Sequence, residues 1–363
     1  MNNKYYWFWL SNIDGIGPRK IKKLIDIFKT PVELFKAREG LIQDSGVLSQ
    51  KDFQAFLLSK ANIGKIIQVY NNLEKQRIQF ITVEDENYPK RLLPLYDKPY
   101  GLYVKGKIPD EDRPTAAIVG SRNCTNYGWE MAKYFGSELA KAGIQIISGM
   151  ARGVDGAGQR GAVSSGGDTY GILGSGVDVC YPRENRKLYE DIQLTGGILS
   201  EQPEKTPPLA RNFPMRNRLI SGLSDCVIII EAKKKSGSLI TIDLALEQGK
   251  EVFALPGRLT DELSAGCNEL IRHGAGILTS PEDILDFFGF KSMTTKNFNE
   301  KDISVLATEE KVLYSCLDLE PKHIEIIANE TGIELQAAIV NLLELENKGM
   351  VRQTAGSYFS IKR

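Results

Sequence analysis

The chain has 363 residues, more than one ordinary compact unit at roughly 150 residues per domain, so two or three units are expected. Its 42% apolar and 25% charged residues are typical of a soluble globular protein and exclude wholesale disorder, collagen-like and coiled-coil architectures. Lys+Arg and Asp+Glu balance at 46 each, so no global basic field announces a polyanion partner. No stretch reaches the roughly 18 to 20 uninterrupted apolar residues of a membrane span. The opening MNNKYYWFWL, soon followed by Asp14 and Arg19, is too short an apolar block for a signal peptide, and a cytoplasmic protein is expected. The 5 cysteines are scattered without a C-x-x-C pair, which indicates neither a disulfide framework nor a zinc site. His273 and His323 are the only histidines and leave little room for histidine-based catalysis.

In chain order, residues 1–80 read as helices. Ile21, Leu24, Ile25 and Phe28 recur at helical spacing, as do Phe53, Phe56 and Leu57, and then Ile63, Ile66, Ile67 and Tyr70. Within this head lies Ile13–Gly17 (IDGIG), followed by Pro18, Arg19, Lys20, Lys22 and Lys23. It has the form of a helix-hairpin-helix: Gly15 and Gly17 can bring backbone N–H groups near a phosphate while the next helix presents its N-terminus, Arg19 and Lys20. These four residues are candidates for an auxiliary DNA contact, and an ordinary turn with solvated lysines is the plainer reading. Over 81–114, Pro89, Pro94 and Pro99 with Tyr88, Tyr96 and Tyr100 among them predict an irregular connector that resists both helix and strand.

From 115 the pattern changes to short apolar runs: Thr115–Gly120, Ile144–Gly149, Thr169–Gly174, Gly197–Glu201, Cys226–Ala232, Glu251–Gly257 and Gly276–Ser280. Amphipathic stretches separate most of them, which argues a parallel sheet covered by helices on both faces, a doubly wound α/β unit over 115–290. Several runs end in Gly or Ser at the carboxyl end of the strand, where open α/β sheets hold ligands. Residues 291–308 are polar and aperiodic, hence a linker. The last stretch, 309–363, predicts three short helices and a hairpin over Met350–Ile361 turning near Ala355–Gly356, the outline of a winged helix. Residues 1–80 carry 13 Lys+Arg against 7 Asp+Glu, and 309–363 carry 6 against 9, so the neutral total hides a basic head and an acidic tail.

Four groups of residues in the core could carry chemistry. Gly120-Ser121-Arg122 closes the first core strand with a tight turn, a hydroxyl and a guanidinium fork suited to a phosphate. Ser148–Gly158 (SGMARGVDGAG), with Gly149, Arg152 and Gly153, suits close backbone approach to an anion. It lacks the Lys-Ser/Thr of a Walker motif, and the glycines from Gly171 to Gly176 make a poor dinucleotide fingerprint, so no nucleotide cofactor is expected. Phe213–Ile220 (FPMRNRLI) joins an aromatic to Arg216, Asn217 and Arg218, the pairing expected where a base stacks and guanidinium groups hold phosphates. A helix start with Phe213 in the core is the equal alternative. Finally, Ser236-Gly237-Ser238, with Thr241 and the preceding Lys233–Lys235, offers small hydroxyl residues at a helix N-terminus. Anion-friendly turns at successive strand ends suit an extended phosphate chain better than one compact cofactor.

Assembled, these residues resemble the DprA/Smf family of DNA-processing proteins over roughly residues 80–280. The motifs that carry the resemblance include Ile118–Arg122, Ser148–Asp155, Gly171–Asp178, Tyr181-Pro182, Leu199–Pro203, Phe213–Ser221, Ser236–Thr241 and Gly266–Ala275. The resemblance implies a Rossmann-like core that binds single-stranded DNA in a basic pocket and dimerises through that core. It implies protection of incoming DNA during natural transformation, help in loading the RecA recombinase, and no catalysis. The family's DNA-binding Arg matches Arg122, and its Phe and Arg cluster matches Phe213, Arg216 and Arg218. One departure is Gly158-Gln159 where the family carries Ala-His, which removes any cationic role at that position. A second family with this core, nucleoside phosphoribohydrolases marked by P-G-G-x-G-T and a Glu, is matched less well: the corresponding strand end is Leu255–Arg258, with Asp243 and Glu247 one helix earlier. For the acidic tail, whose segment Leu335–Leu345 lacks Lys and Arg, protein docking is expected rather than duplex binding.

Overall fold

The computed structural model describes residues 3–290, 306–354 and 356–361. Six helices come first: α1 (Asn3–Ser11), α2 (Pro18–Phe28), α3 (Pro31–Lys36), α4 (Glu39–Asp44), α5 (Gln50–Ala61) and α6 (Ile63–Leu73). Their boundaries follow local chemistry. Pro18 and Pro31 occupy first helical positions, where the missing N–H costs nothing, and Thr30 caps α3 by accepting from the Glu33 N–H. Ser49 and Asp52 cap α5 reciprocally. The aromatic-rich α1 is buried on most sides: Trp9, Leu10, Leu24, Leu34 and Phe56 form a head core with it, while Trp7 stacks on Tyr100.

A nine-stranded sheet follows, in the order β1-β2-β6-β5-β4-β3-β7-β8-β9. The strands are β1 (Gln79–Thr82), β2 (Gly101–Gly106), β3 (Thr115–Val119), β4 (Gln145–Ser148), β5 (Thr169–Ile172), β6 (Gly197–Ser200), β7 (Cys226–Ile229), β8 (Glu251–Ala254) and β9 (Gly276–Ile277). β3 through β9 pair in parallel. The helices between them are α7 (Asn126–Lys141), α8 (Val154–Ser164), α9 (Arg186–Thr195), α10 (Asn212–Gly222), α11 (Leu239–Glu247), α12 (Ala265–Arg272) and α13 (Glu282–Phe287). β3, β4, β5, β6 and β7 are buried throughout, because helices cover both faces, and this is why they read in sequence as unbroken apolar runs. The sheet is the doubly wound, Rossmann-like, mostly parallel one expected.

One expectation fails here. The proline-rich stretch is not a bare connector: β1 ends in it, and β2 pairs antiparallel with both β1 and β6. No proline falls between Pro99 and Pro109, so Gly101–Gly106 keeps every N–H needed for two ladders, and the Tyr103 hydroxyl reaches back to Asn12 at 2.7 Å. Head and sheet therefore share strand contacts and side-chain bonds.

Beyond the core, α14 (Thr308–Cys316), β10 (Lys322–His323), α15 (Ile324–Thr331), α16 (Leu335–Asn347), β11 (Val351–Gln353) and β12 (Tyr358–Ile361) form a unit of three helices and a three-stranded sheet. Most of the linker expected at 291–308, and Ala355 at the hairpin tip, lie outside the described residues. This unit rests on α7: the Arg352 guanidinium donates to Glu130 and Asn126, and the Asn126 amide donates to the Leu319 carbonyl at 2.9 Å. Among the described residues no helix is long and apolar enough to cross a membrane.

Candidate nucleic-acid interface

The strand order reverses between the parallel neighbours β3 and β7, and a crevice of about 1030 Å³ opens there at the carboxyl ends of the strands. This is the position at which doubly wound sheets bind ligands. Its lining brings together Gly120, Ser121, Arg122, Phe213, Arg216, Asn217, Ser236, Gly237, Ser238 and Thr241, residues separated by more than a hundred positions in sequence and all expected from it. Lys233, Lys235, Tyr181 and Asp155 join them, with Asp261 and Glu262 at the rim. A second cavity of about 220 Å³ adjoins the first and adds Gly149, Arg152, Leu173, Gly174, Ser175 and Pro182.

Local geometry explains the strand-end turns. The Ser121 N–H donates to the Glu231 carbonyl at 2.7 Å, and the Ser121 carbonyl accepts from Val154 at 3.2 Å. The turn after β3 is thus tied to the turn after β7 and to the start of α8. Gly153 has φ +70, and a Cβ there would stand 2.2 Å from the Ser121 carbonyl oxygen, so only glycine fits. On the other side of the turn Thr125 caps α7, while its N–H and hydroxyl bind the Glu231 carboxylate at 2.8 and 2.5 Å. Arg122 is left projecting from a rigid loop, exposed and without a carboxylate partner among the described residues. Its guanidinium carbon lies 5.6 Å from the centre of the Phe213 ring.

Arg216 plays a different part. It is only 7% exposed and donates to the carbonyls of Gly149, at 2.9 Å, and Ile172. Gly149 makes room for it: a Cβ at that position would lie 2.6 Å from Arg216 Nη1 and 2.7 Å from Asp155 Oδ2. The Gly149 N–H also donates to Asp155 at 3.1 Å. Burial pushes the Asp155 carboxyl above its ordinary range while the Arg216 charge opposes that, and burial lowers Arg216 to about 10. The two carbonyls fix one positive group at the crevice floor.

Arg218 was expected beside Arg216 and is not. It is 5% exposed and pairs with Glu201 at 2.7 Å and Asp97 at 3.3 Å, outside both cavities. Two positions along a helix turn a side chain by about 200°, so Arg216 and Arg218 face opposite ways and Arg218 serves the core. Arg152 lines only the smaller cavity and pairs with Glu184 at 3.5 Å on the surface. Ser236 and Ser238 stand with their hydroxyls 2.7 Å apart just before α11. Gln159 is fully buried under the sheet, donating to Tyr170 O at 3.1 Å, and lies outside the crevice.

The head hairpin, offered as an auxiliary contact, has its cation engaged. Lys20 Nζ lies 2.8 Å from the Gly15 carbonyl and 2.7 Å from Asp52 Oδ2. Gly15 has φ +79, and a Cβ there would meet the Asp52 carboxylate at 2.6 Å. The hydrogen bonds from Lys20 and Ser49 hold Asp52 down at about 2. Arg19 reaches Asp97 at 3.6 Å and lies over Tyr96. Only Gly17 is left open.

The residues offered for hydrolysis do not converge either. Asp243 and Glu247 are exposed on α11, and neither lines a cavity described above. Among the described residues no group of three or more His, Cys, Asp or Glu could hold a metal ion. Sequence reasoning missed Tyr181, although its Tyr-Pro step was among the motifs, because nothing in one sequence says that this residue meets Phe213.

Comparison with known proteins agrees with the geometry. The profile of the family described as DNA recombination-mediator protein A matches residues 79–289. Protein Smf of Escherichia coli is 37% identical over 297 residues, covering 80% of this chain and 79% of that protein. DNA processing protein DprA of Streptococcus pneumoniae is 41% identical over 217 residues, 60% of this chain and 77% of that protein. The crystal structure of the Streptococcus pneumoniae protein superposes with TM-score 0.67 at 33% identity, covering 79% of this chain and 97% of the other. A structure of DNA processing protein A from Helicobacter pylori, solved for its single-stranded DNA binding mode, superposes with TM-score 0.52 at 35% identity, covering 58% and 95%.

Proposed function

The chain belongs to the DNA recombination-mediator protein A family, also written DprA/Smf, and from that premise we propose that it binds single-stranded DNA along the crevice between β3 and β7. One observation carries the reading. An exposed, unpaired Arg122, a fixed buried Arg216, two lysines and a serine-lined helix start converge at the strand ends of one sheet. That layout suits successive phosphates of a strand. Arg122 with the Gly120–Ser121 backbone takes one phosphate. Arg216 and Asn217 polarise the floor, and Ser236–Ser238 with Lys233 and Lys235 take the next. On this reading the protein acts by binding rather than by catalysis and takes no cofactor.

In the cell this activity protects incoming DNA and promotes loading of the RecA recombinase in natural transformation or recombination, in the cytoplasm and from a homodimer joined through the Rossmann-like core. Residues 115–290 carry the site. The helical head over 1–80 is a support whose hairpin cation is spent internally, and the acidic tail over 309–363, a winged helix on this reading, docks a protein.

Fluorescence anisotropy with a labelled single strand and a duplex control tests this. Salt-sensitive binding that prefers the single strand and collapses in Arg122→Ala is expected. Equal binding to both forms, or an Arg122→Ala variant that binds like the wild type, would mean the crevice serves another ligand. Release of free base from a nucleoside monophosphate would then be assayed.

A further inference from the structure

The tail leaves one helix face uncovered. α15 and α16 are joined by a three-residue turn, 332–334, in which Gly332 has φ +70. Two helices joined this way make the unit that lays its second helix on DNA, and a helix that reads DNA needs cations. α16 carries no Lys or Arg. Its Ala338, Leu342 and Leu345 are buried, whereas Leu335, Ile339, Val340 and Leu343 stand 41%, 39%, 57% and 41% exposed. At about 100° per residue these four fall within roughly 140° of the helix circumference, a single stripe about 12 Å long. Lone exposed apolar side chains are ordinary, but a contiguous stripe marks a contact surface.

The stripe continues into an open groove of about 630 Å³ lined from α15, the turn and α16. Ala328, Ile333 and Leu335 are its apolar walls, and Glu325 and Glu334 are its carboxylates. Lys322, Lys348 and Arg352 are already held, by Glu330 at 2.7 Å, by Glu310 at 2.5 Å and by Glu130. Glu334 pairs with no cation among the described residues, and Glu325 has the ring of His323 at 3.8 Å. The groove therefore keeps its negative charge. We infer that this stripe and groove dock a basic amphipathic helix of another protein, its apolar side on Leu335, Ile339 and Leu343 and its cations against Glu325 and Glu334. The inference rests on the protein-docking reading of the tail given above. Charge decides among the occupants. The carboxylates repel a phosphate backbone, and a second tail would bring the same carboxylates to the same face, whereas a cationic helix is attracted. Two turns of stripe also match the spacing of anchors by which an amphipathic helix lies in a groove.

The probe is a labelled Leu/Lys peptide of about 18 residues, five turns, with leucines at helical spacing. One control peptide has the same composition scrambled out of phase, and another keeps the pattern with Glu in place of Lys. Anisotropy titrations use the full chain as wild type, Ile339→Ser/Val340→Ser, Glu334→Gln and Leu194→Ser, each checked for an unchanged thermal melt. Leu194 is a control, 78% exposed on α9. The wild type is expected to bind the patterned Lys peptide at least about tenfold tighter than either control peptide. Ile339→Ser/Val340→Ser weakens that binding by about tenfold or more. Glu334→Gln weakens it by about threefold at low salt, and Leu194→Ser leaves it unchanged. Binding that survives Ile339→Ser/Val340→Ser, or is as tight for the scrambled peptide, overturns the inference, as does a wild type that binds no peptide. Sedimentation of the chain alone gives a further check: a mass that falls in Ile339→Ser/Val340→Ser would assign the face to a second copy instead. A duplex titration separates the two readings, since duplex affinity lost in that same variant would mean that the tail reads DNA and that the protein-docking reading itself has failed.

Discussion

The core crevice and the head hairpin start from the same local chemistry, a glycine turn followed by basic residues ahead of a helix. In the crevice, the turn after β3 spends its backbone on neighbouring strands and leaves Arg122 exposed without a carboxylate. In the hairpin, Asp52 stands 2.7 Å from Lys20 and against Gly15, so the chain itself provides the anion that a phosphate would otherwise be. An anion-friendly turn is open to an outside anion only when the fold has not already closed it with one of its own carboxylates. A second contrast, inside one helix, makes the same point: Arg216 is clamped facing the crevice, and Arg218 is neutralised facing away from it.

These contrasts can be broken by substitution, and the largest effect belongs to Arg216. Arg216→Ala leaves the buried Gly149 and Ile172 carbonyls without their charged donor, and hydrogen bonds to a charged group are worth about 1.5–3 kcal/mol each. Chemical denaturation should show that loss, and a variant as stable as the wild type would mean that the two bonds are dispensable. Arg122→Ala should instead melt normally and lose single-strand affinity, with the slope of log affinity against log salt shallower by about 0.7 for one lost phosphate contact. Lys20→Ala, measured in the same titration, should bind DNA within about twofold of wild type. A drop as large as that of Arg122→Ala would put the hairpin back on the DNA path.

Acid separates the regions further. Asp52 sits at about 2 in the folded chain, below the ordinary carboxyl value near 3.9. A depressed carboxyl stabilises fully above its unfolded value and loses that contribution as pH falls through the folded one, so head stability should decline between about pH 4 and pH 2. Asp52→Asn should flatten that decline in a tryptophan-fluorescence acid titration. The smallest effect is expected at the rim. Glu262 pairs with Lys233 at 2.6 Å on an exposed surface, and Glu262→Gln should raise DNA affinity by no more than about fivefold, read as a lower dissociation constant.

The central sheet was legible because strands buried on both faces are continuous apolar runs closed by glycine. β2 was not, since its tyrosines and the prolines before it suggest irregular chain until the antiparallel partners β1 and β6 are in view. Much of the candidate site was legible as a set: Gly120–Arg122, Phe213, Arg216, Asn217, Ser236–Ser238 and Thr241 line one crevice, whereas Gly149 and Arg152 line only the smaller cavity and Gly153 and Arg218 line neither. Two placements needed the fold. Helical phase separates Arg216 from Arg218, a distinction available from their spacing once α10 is granted, whereas the Asp52 that closes the hairpin lies 32 positions from Lys20 and nothing local announces it. Tyr181 likewise becomes informative only beside Phe213.

The docking of the tail has a mechanical side. Arg352 grips Asn126 and Glu130, on the opening turns of the helix whose cap, Thr125, follows Arg122 by three places. A protein that pries the tail loose strips a buried Glu130 of its counter-charge, a cost borne by α7. Pulling on the tail is therefore pulling on the lever to which the arginine loop is hinged.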